Sequence, residues 1–109
     1  MGFDERDDSM DARTRKKLRR IAHHLDPVVN VGEAGVSESV IAETQRALTD
    51  HELIKVRIHS ADRADRALLG ASLVTECAAT VVQKIGKILV LYRPNPEANP
   101  DLSNLSRIS

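Results

Sequence analysis

Aromatic residues are almost absent from this sequence of 109 residues, which has no tryptophan, one tyrosine and one phenylalanine. RRM and OB-fold proteins hold single-stranded bases on sets of aromatic side chains. Two aromatic residues far apart in the sequence, Phe3 and Tyr92, exclude that mode of binding. If nucleic acid is the ligand, the protein must read its backbone and shape.

Cysteine and long apolar runs are scarce as well. The single cysteine, Cys77, excludes an internal disulfide, and no apolar stretch reaches the roughly 20 residues that span a bilayer. The chain does not start with a basic segment followed by an apolar one, so we expect a cytoplasmic protein without an export signal. A length of 109 residues, 41% of them hydrophobic and 29% charged, predicts one globular domain with one core.

Patterns typical of catalytic or metal sites are also missing. His23 and His24 are adjacent and therefore point in different directions on a helix. His51-Glu52 lacks the second histidine of the H-E-x-x-H zinc motif, and Cys77 has no neighbouring Cys or His. We therefore expect a protein that is not an enzyme and that uses no metal, cofactor or small-molecule substrate.

The net charge is zero, with 16 basic and 16 acidic side chains, but the two signs are unevenly distributed. Residues 1–12 carry five acidic residues and one basic residue, whereas residues 13–20 carry six basic residues and no acidic one. Residues 12–25 offer no acidic partner one helical turn away, and cations early in a helix oppose its macrodipole. The run therefore predicts a phosphate-binding surface. Its members are Arg13, Arg15, Lys16, Lys17, Arg19 and Arg20.

Hydrophobic periodicity and capping residues predict seven elements in the order αβαβαββ. Asp11, Ser37 and Asp62 cap the three helices, and the first helix should end at Asp26-Pro27. Strands are predicted over residues 28–31, 53–59, 80–85 and 88–92, with Gly86-Lys87 as the turn of a hairpin.

This order predicts the α/β (α+β) class, as a single two-layer domain with helices packed against a mixed four-stranded sheet. Two strand-helix-strand crossovers predict parallel pairs, the hairpin adds an antiparallel strand, and the apolar strand 88–92 suits an interior position. The polar residues 1–9 and 97–109 are predicted as a mobile acidic arm and a mobile tail around a domain of residues 10–96.

A second candidate site is the G-x-x-G segment Gly32-Glu33-Ala34-Gly35, which opens directly onto the helix capped by Ser37. Exposed backbone N–H groups in such a loop can clamp a nucleic-acid backbone, as in KH domains. The same pattern also occurs in simple turns, and Glu33 would repel a phosphate. Further cations on the predicted strands and hairpin extend the candidate surface: Lys55, Arg57, Lys84 and Lys87.

Between Met10 and Pro96, four stretches resemble the YhbY-like CRM domain (chloroplast RNA splicing and ribosome maturation) in order and spacing. They are residues 18–25 (LRRIAHHL), residues 27–36 (PVVNVGEAGV), Ala47-Leu48 with residues 51–56 (HELIKV), and residues 85–94 (IGKILVLYRP). One departure is Cys77-Ala78-Ala79, where the family usually has Thr-Gly-Ala, so a glycine suited to the helix end is missing.

The resemblance implies a fold like the C-terminal domain of bacterial translation initiation factor three. It also implies an RNA-binding protein that associates with ribosomal RNA in precursors of the large ribosomal subunit. In that family role, Gly32 and Gly35 would clamp the RNA backbone and the cations of the first helix would contact phosphates.

Two other hypotheses remain open from the sequence. The first is a protein-interaction module, in which the basic helix docks on an acidic partner surface. The second concerns the acidic arm, which could fold over the basic helix and compete with RNA. Deleting residues 1–9 would then tighten binding at low salt.

Overall fold

The computed structural model describes residues 10–108, and the predicted order of the first seven elements is confirmed. The elements are α1 (Ala12–Ala22), β1 (Pro27–Val31), α2 (Glu38–His51), β2 (Leu53–Ile58), α3 (Arg63–Cys77), β3 (Thr80–Ile85), β4 (Ile88–Tyr92) and α4 (Asn104–Ile108). The acidic arm predicted over residues 1–9 lies outside the described residues.

The first three helices begin at their predicted capping residues. Asp11, Ser37 and Asp62 each accept a hydrogen bond from a backbone N–H two or three residues further on. Hydrogen bonds from Thr14 also hold the pKa of the Asp11 carboxyl below its usual range. The end of α1 was predicted too late. The chain leaves the α-helix after Ala22 because the N–H groups of His24 and Leu25 donate to carbonyls three residues back, which tightens the last turn.

The sheet has the strand order β1-β2-β4-β3. Strands β1 and β2 pair in parallel, and β4 is antiparallel to both of its neighbours. The predicted parallel pair between β2 and β3 is therefore wrong, because β4 lies between them. Strand β4 takes the interior position because Leu89 and Leu91 face one side and Val90 faces the other, and all three are buried. Its predicted interior position is confirmed.

The helices cover both faces of the sheet, which corrects the expectation of two layers and one core. One cluster of buried residues packs α2 and α3 against the face that presents Ile54 and Val56 of β2. The other cluster packs Leu18 and Ile21 of α1 against the opposite face, where Leu53 and Val90 are buried. Leu53 shows why a second layer of helix is needed, because it is buried on the face opposite to Ile54 and Val56. The α+β class and the mixed four-stranded sheet are confirmed.

The described part of residues 97–109 packs against the domain, in the segment that was predicted as a mobile tail. Asn104 is 6% exposed and donates to the carbonyl of Leu53 at 2.7 Å. Ser103 donates to the Glu52 carboxylate at 2.8 Å, and Leu105 joins the cluster beneath α1. Most of these contacts are made by polar side chains, a type of interaction that a count of apolar residues does not include.

We call this region the C-terminal clasp and define it as residues 93–105 with their partners on α2, β2 and the end of α3. Arg93 donates through its guanidinium to both the side chain and the carbonyl of Gln45, to the carbonyl of Cys77 and to the hydroxyl of Thr49. Asn95 bonds to the carbonyl of Thr49 and, through its backbone N–H, to the Glu52 carboxylate at 2.7 Å. The clasp therefore joins the last strand to two helices.

Candidate nucleic-acid interface

Three of the cations of α1 lie beside the sheet, in a groove of about 500 Å³ that we call the helix groove. Lys16, Arg19 and Arg20 contribute from α1 and Lys55 from β2, so the fold joins cations that are far apart in the sequence. None of the described residues that line the groove is acidic. The remaining lining residues are Ala22, His23, His24, Gln83 and Ile85.

The position of α1 follows from its buried stripe and from one arginine. Leu18 and Ile21 are each 4% exposed and pack against the sheet, which turns the cations on the other sides of the helix outward. Arg15 lies at the edge of the buried stripe and donates through Nη1 to the carbonyls of Val81 and Val82 at 2.8 and 3.1 Å. Arg15 was predicted to bind phosphate, but the structure gives it the additional role of fixing α1 over β3.

The other cations of α1 divide into two groups. Lys16, Arg19 and Arg20 line the groove, and within the described part of the chain their side chains form neither a hydrogen bond nor an ion pair. Arg13 and Lys17 are exposed but do not line the groove. Three unpaired cations in one concave surface attract an anionic ligand, because its negative charge balances positive charges that have no acidic partner in the described part of the protein.

The exposed part of the same sheet face extends this surface. Arg57 follows Lys55 by two residues on β2, so both side chains lie on the face that α1 covers in part. Asn30 of β1 is in register with Arg57, and its side-chain oxygen is 2.9 Å from Nε2 of His59. At a rise of about 3.3 Å per residue, this polar face extends along β2 for about 10 Å from Lys55 to the end of the strand.

The G-x-x-G loop lies at the far end of β1 from α1 and does not line the helix groove. Gly35 closes the turn, since its N–H donates to the carbonyl of Gly32 at 3.0 Å, and its φ of +74° favours glycine. Gly32 has no such requirement, because a Cβ built there would meet no atom within 4 Å. Glu33 and Ala34 form the exposed tip. The backbone at Gly32 is therefore open to close approach by a ligand.

Lys84 and Lys87 lie away from α1, in a second groove on the other face of the sheet. This hairpin groove encloses about 560 Å³ and is also lined by Arg63 and Arg66 of α3, which sequence reasoning missed. Their three-residue spacing on a predicted helix was a usable signal, because residues so spaced share a face. The other residues that line the hairpin groove are Ile58, Ala67, Gly70, Gly86, Ile88 and Leu89.

Other candidate chemistry finds no support among the described residues. In that part of the chain, no group of three or more His, Cys, Asp or Glu residues is placed to hold a metal ion. Cys77 is buried, and burial raises the pKa of its thiol, as expected for a core residue. None of the described helices combines the length and apolar character needed to cross a bilayer.

The fold and its grooves define a small α+β domain with basic surfaces on both sides of a mixed sheet. The chain belongs to the CRS1/YhbY (CRM) domain family, whose sequence model matches residues 10–93. This confirms the family resemblance that the sequence motifs indicated.

Relatives from bacteria match over nearly the same range. The chain is 47% identical over 95 residues to "Probable RNA-binding protein PA4753" of Pseudomonas aeruginosa, a match that covers 87% of this chain and 91% of that protein. It is 46% identical over 94 residues to "RNA-binding protein" of Haemophilus influenzae, with coverage of 86% and 95%. The solution structure of the hypothetical protein SAV1595 from Staphylococcus aureus has a TM-score of 0.71 at 30% identity and covers 83% of this chain and 94% of that one.

Proposed function

We propose that this protein binds structured RNA through the helix groove and does not catalyse a reaction. The observation behind this proposal is the set of unpaired cations Lys16, Arg19 and Arg20 beside Lys55, in a groove without an acidic lining residue. Lys and Arg side chains that neutralise phosphates release counterions, which supplies most of the affinity of such a surface. The names of the relatives from Pseudomonas aeruginosa and Haemophilus influenzae support RNA as the ligand.

In this proposal the other predicted residues have graded roles. Arg57 extends the phosphate track along the sheet face, and the open backbone at Gly32 takes a further phosphate beyond it. Gly35 shapes the turn, while Glu33 limits how closely a phosphate can approach the side chains of the loop. Arg13 and Lys17 act at longer range, because they lie outside the groove.

The proposed target is ribosomal RNA in a cytoplasmic precursor of the large ribosomal subunit. Membership of the family supports this choice, as does the scarcity of aromatic residues, which favours recognition of RNA shape over stacking of single-stranded bases. Crosslinking the protein to RNA in cells and mapping the bound sites tests the target. Crosslinks confined to other RNAs would reject the ribosomal assignment and leave RNA binding in place.

Two double variants with the same net charge test the groove itself. We expect Lys16→Ala/Arg20→Ala to weaken binding to a ribosomal RNA fragment and to reduce the slope of log affinity against log salt by about 2, one unit for each lost phosphate contact. Arg13→Ala/Lys17→Ala removes two charges from the same helix outside the groove and should change the slope by less. Equal effects of the two variants, or a wild-type slope near zero, would contradict the proposal.

The protein-interaction alternative is separated by nuclease treatment. The structure leaves the helix groove open to an acidic protein surface as well as to RNA, so a pull-down is informative only when RNA is removed. We expect the partners of the wild-type protein to be lost after nuclease treatment. A partner that is retained without RNA, and that is lost with Lys16→Ala/Arg20→Ala, would favour docking on a protein.

A further inference from the structure

The hairpin groove is a second basic surface, separate from the helix groove. Its four cations come from two separate segments, Arg63 and Arg66 on α3 and Lys84 and Lys87 around the β3–β4 turn. None of the described lining residues is acidic. Asp65 lies between the two arginines in sequence, but at about 100° per residue it points to the other side of α3. Like the helix groove, this groove attracts an anion.

The floor of the hairpin groove is apolar, unlike a surface that only tracks phosphates. Ala67 and Gly70 lie three residues apart on one side of α3. At Gly70 the helix packs closely on the sheet, because a Cβ built there would lie 3.4 Å from Cδ2 of Leu89 and 3.6 Å from Cδ1 of Ile58. Gly70 therefore closes the inner end of the groove, and a flat apolar group can lie further out, beside the exposed Ala67.

Arg66 supplies a fixed planar group beside this floor. Its Nη1 donates to the carbonyl of Ser60 at 2.7 Å, which holds the guanidinium in place and leaves its other N–H groups for a ligand. A guanidinium plane can stack on a nucleic-acid base as an aromatic ring does. In a protein with one tyrosine and one phenylalanine, an anchored arginine is an alternative stacking platform.

We propose that the hairpin groove receives an unpaired nucleotide of the same RNA that the helix groove binds. The base lies on the apolar floor against the plane of Arg66, and Arg63, Lys84 and Lys87 contact the flanking phosphates. The two grooves adjoin along the chain, since Ile85 lines the helix groove while Lys84 and Gly86 line the hairpin groove. Residue 85 is 51% exposed, so an RNA strand can pass over the hairpin from one face to the other.

This inference rests on the proposed RNA binding and adds a preference for RNA with a bulge or loop. The test uses two RNA hairpins that differ only in one bulged adenosine, with affinities measured at the same salt concentration. Stacking of one base on a side chain corresponds to about tenfold in affinity. We expect the wild-type protein to bind the bulged hairpin about tenfold more tightly than the fully paired hairpin.

A steric variant isolates the groove. Ala67 is exposed on α3, so Ala67→Leu fills the floor without entering the core and keeps a good helix former. We expect it to bind the paired hairpin as the wild-type protein does and to lose the preference for the bulge. Ala71→Leu adds the same side chain at an exposed position of α3 outside the groove and should keep the preference. Thermal unfolding of both variants checks that α3 stays folded.

A second variant tests the role of Arg66. Arg66→Lys keeps the charge and removes the planar guanidinium group, so we expect a smaller preference for the bulged hairpin. The slope of log affinity against log salt on the paired hairpin should not change. The inference is overturned if the wild-type protein does not distinguish the two hairpins, or if Ala67→Leu keeps the preference. If the protein binds neither hairpin, the proposed RNA binding fails first. Binding to the paired hairpin with a normal salt slope but no bulge preference removes this inference alone.

Discussion

The helix groove and the C-terminal clasp are both rich in polar side chains, but they use them in opposite ways. In the clasp, Arg93 donates to groups on α2 and at the end of α3, and the Glu52 carboxylate accepts from two partners. In the helix groove, Lys16, Arg19 and Arg20 have no partner within the described part of the chain. Polar side chains with internal hydrogen-bond partners stabilise the fold. Cations without partners repel one another and remain available to bind a ligand.

Backbone strain follows the same division. In the described part of the chain, two residues other than glycine have a positive φ: Glu52 at 62° and Ala78 at 53°. Both lie in the clasp or directly beside it. Glu52 is held there by its backbone and carboxylate hydrogen bonds, and Ala78 follows Cys77, whose carbonyl accepts from Arg93. The interactions of the clasp thus offset an unfavourable local geometry. The comparison predicts that variants of the clasp change stability and variants of the groove change binding.

The largest change in stability should come from Arg93→Ala. This change removes a charged donor from Gln45, Thr49 and the carbonyl of Cys77, so we expect the free energy of unfolding to fall by about 3 kcal/mol. Chemical denaturation measures the loss, with Arg46→Ala as a control at an exposed arginine of α2. If RNA affinity per folded molecule fell more than stability did, the separation between clasp and groove would be wrong.

A smaller loss is expected for Asn104→Ala. The variant leaves the buried carbonyl of Leu53 without the 2.7 Å hydrogen bond, which should lower the free energy of unfolding by about 1 to 2 kcal/mol. Asp101→Ala, at an exposed position of the same segment, is the control for general effects on the C-terminal chain. Equal stability of the Asn104 and Asp101 variants would show that the hydrogen bond from Asn104 contributes little to the fold.

Ala78→Gly should raise the free energy of unfolding. A residue with a Cβ in the left-handed region costs about 1 kcal/mol relative to glycine, so the variant should gain about that much stability. Ala79→Gly, at the next residue, has no positive φ to relieve and should not gain stability. The measurement is the denaturation midpoint, and a loss of stability in Ala78→Gly would mean that this strain is not relieved by glycine.

The smallest change in stability is expected for the groove variant Lys16→Ala/Arg20→Ala. Both side chains are exposed and unpaired within the described residues, so the free energy of unfolding should stay within about 0.5 kcal/mol of wild type. The same variant is expected to have the larger effect on RNA affinity, which makes it the counterpart of Arg93→Ala. A loss of stability comparable to that of Arg93→Ala would erase the contrast between the two regions.

Local signals were sufficient to predict most of the fold. The caps at Asp11, Ser37 and Asp62 fixed where three helices begin, and Gly86, with a φ of 57°, fits the predicted hairpin turn. The strand order could not be read in full, because the apolar sequence of β4 indicated an interior position but did not show that β4 lies between β2 and β3. The C-terminal clasp was missed because hydrogen bonds such as that from Asn104 to Leu53 join residues distant in sequence.

The structure groups the candidate site residues in a way that the sequence does not show. Charge clustering marked all six cations of the run alike, and only the fold brings Lys55 beside three of them, Lys16, Arg19 and Arg20. Sequence spacing cannot show that Lys84 and Lys87 face away from α1, because the register shift between Val81 and Gln83 alters the side on which later residues of β3 lie. It also cannot distinguish an arginine with internal partners, such as Arg15, from its unpaired neighbours.

Arg15 has a consequence for how copies of this protein behave toward one another. Strand β3 is an outer strand of the sheet, and such strands can add a strand from another molecule and begin aggregation. The guanidinium of Arg15 occupies the carbonyls of Val81 and Val82, and the register shift beside them disturbs the regular spacing that an incoming strand would need. One side chain of the basic helix thus covers part of this outer strand while its neighbours remain available to a ligand.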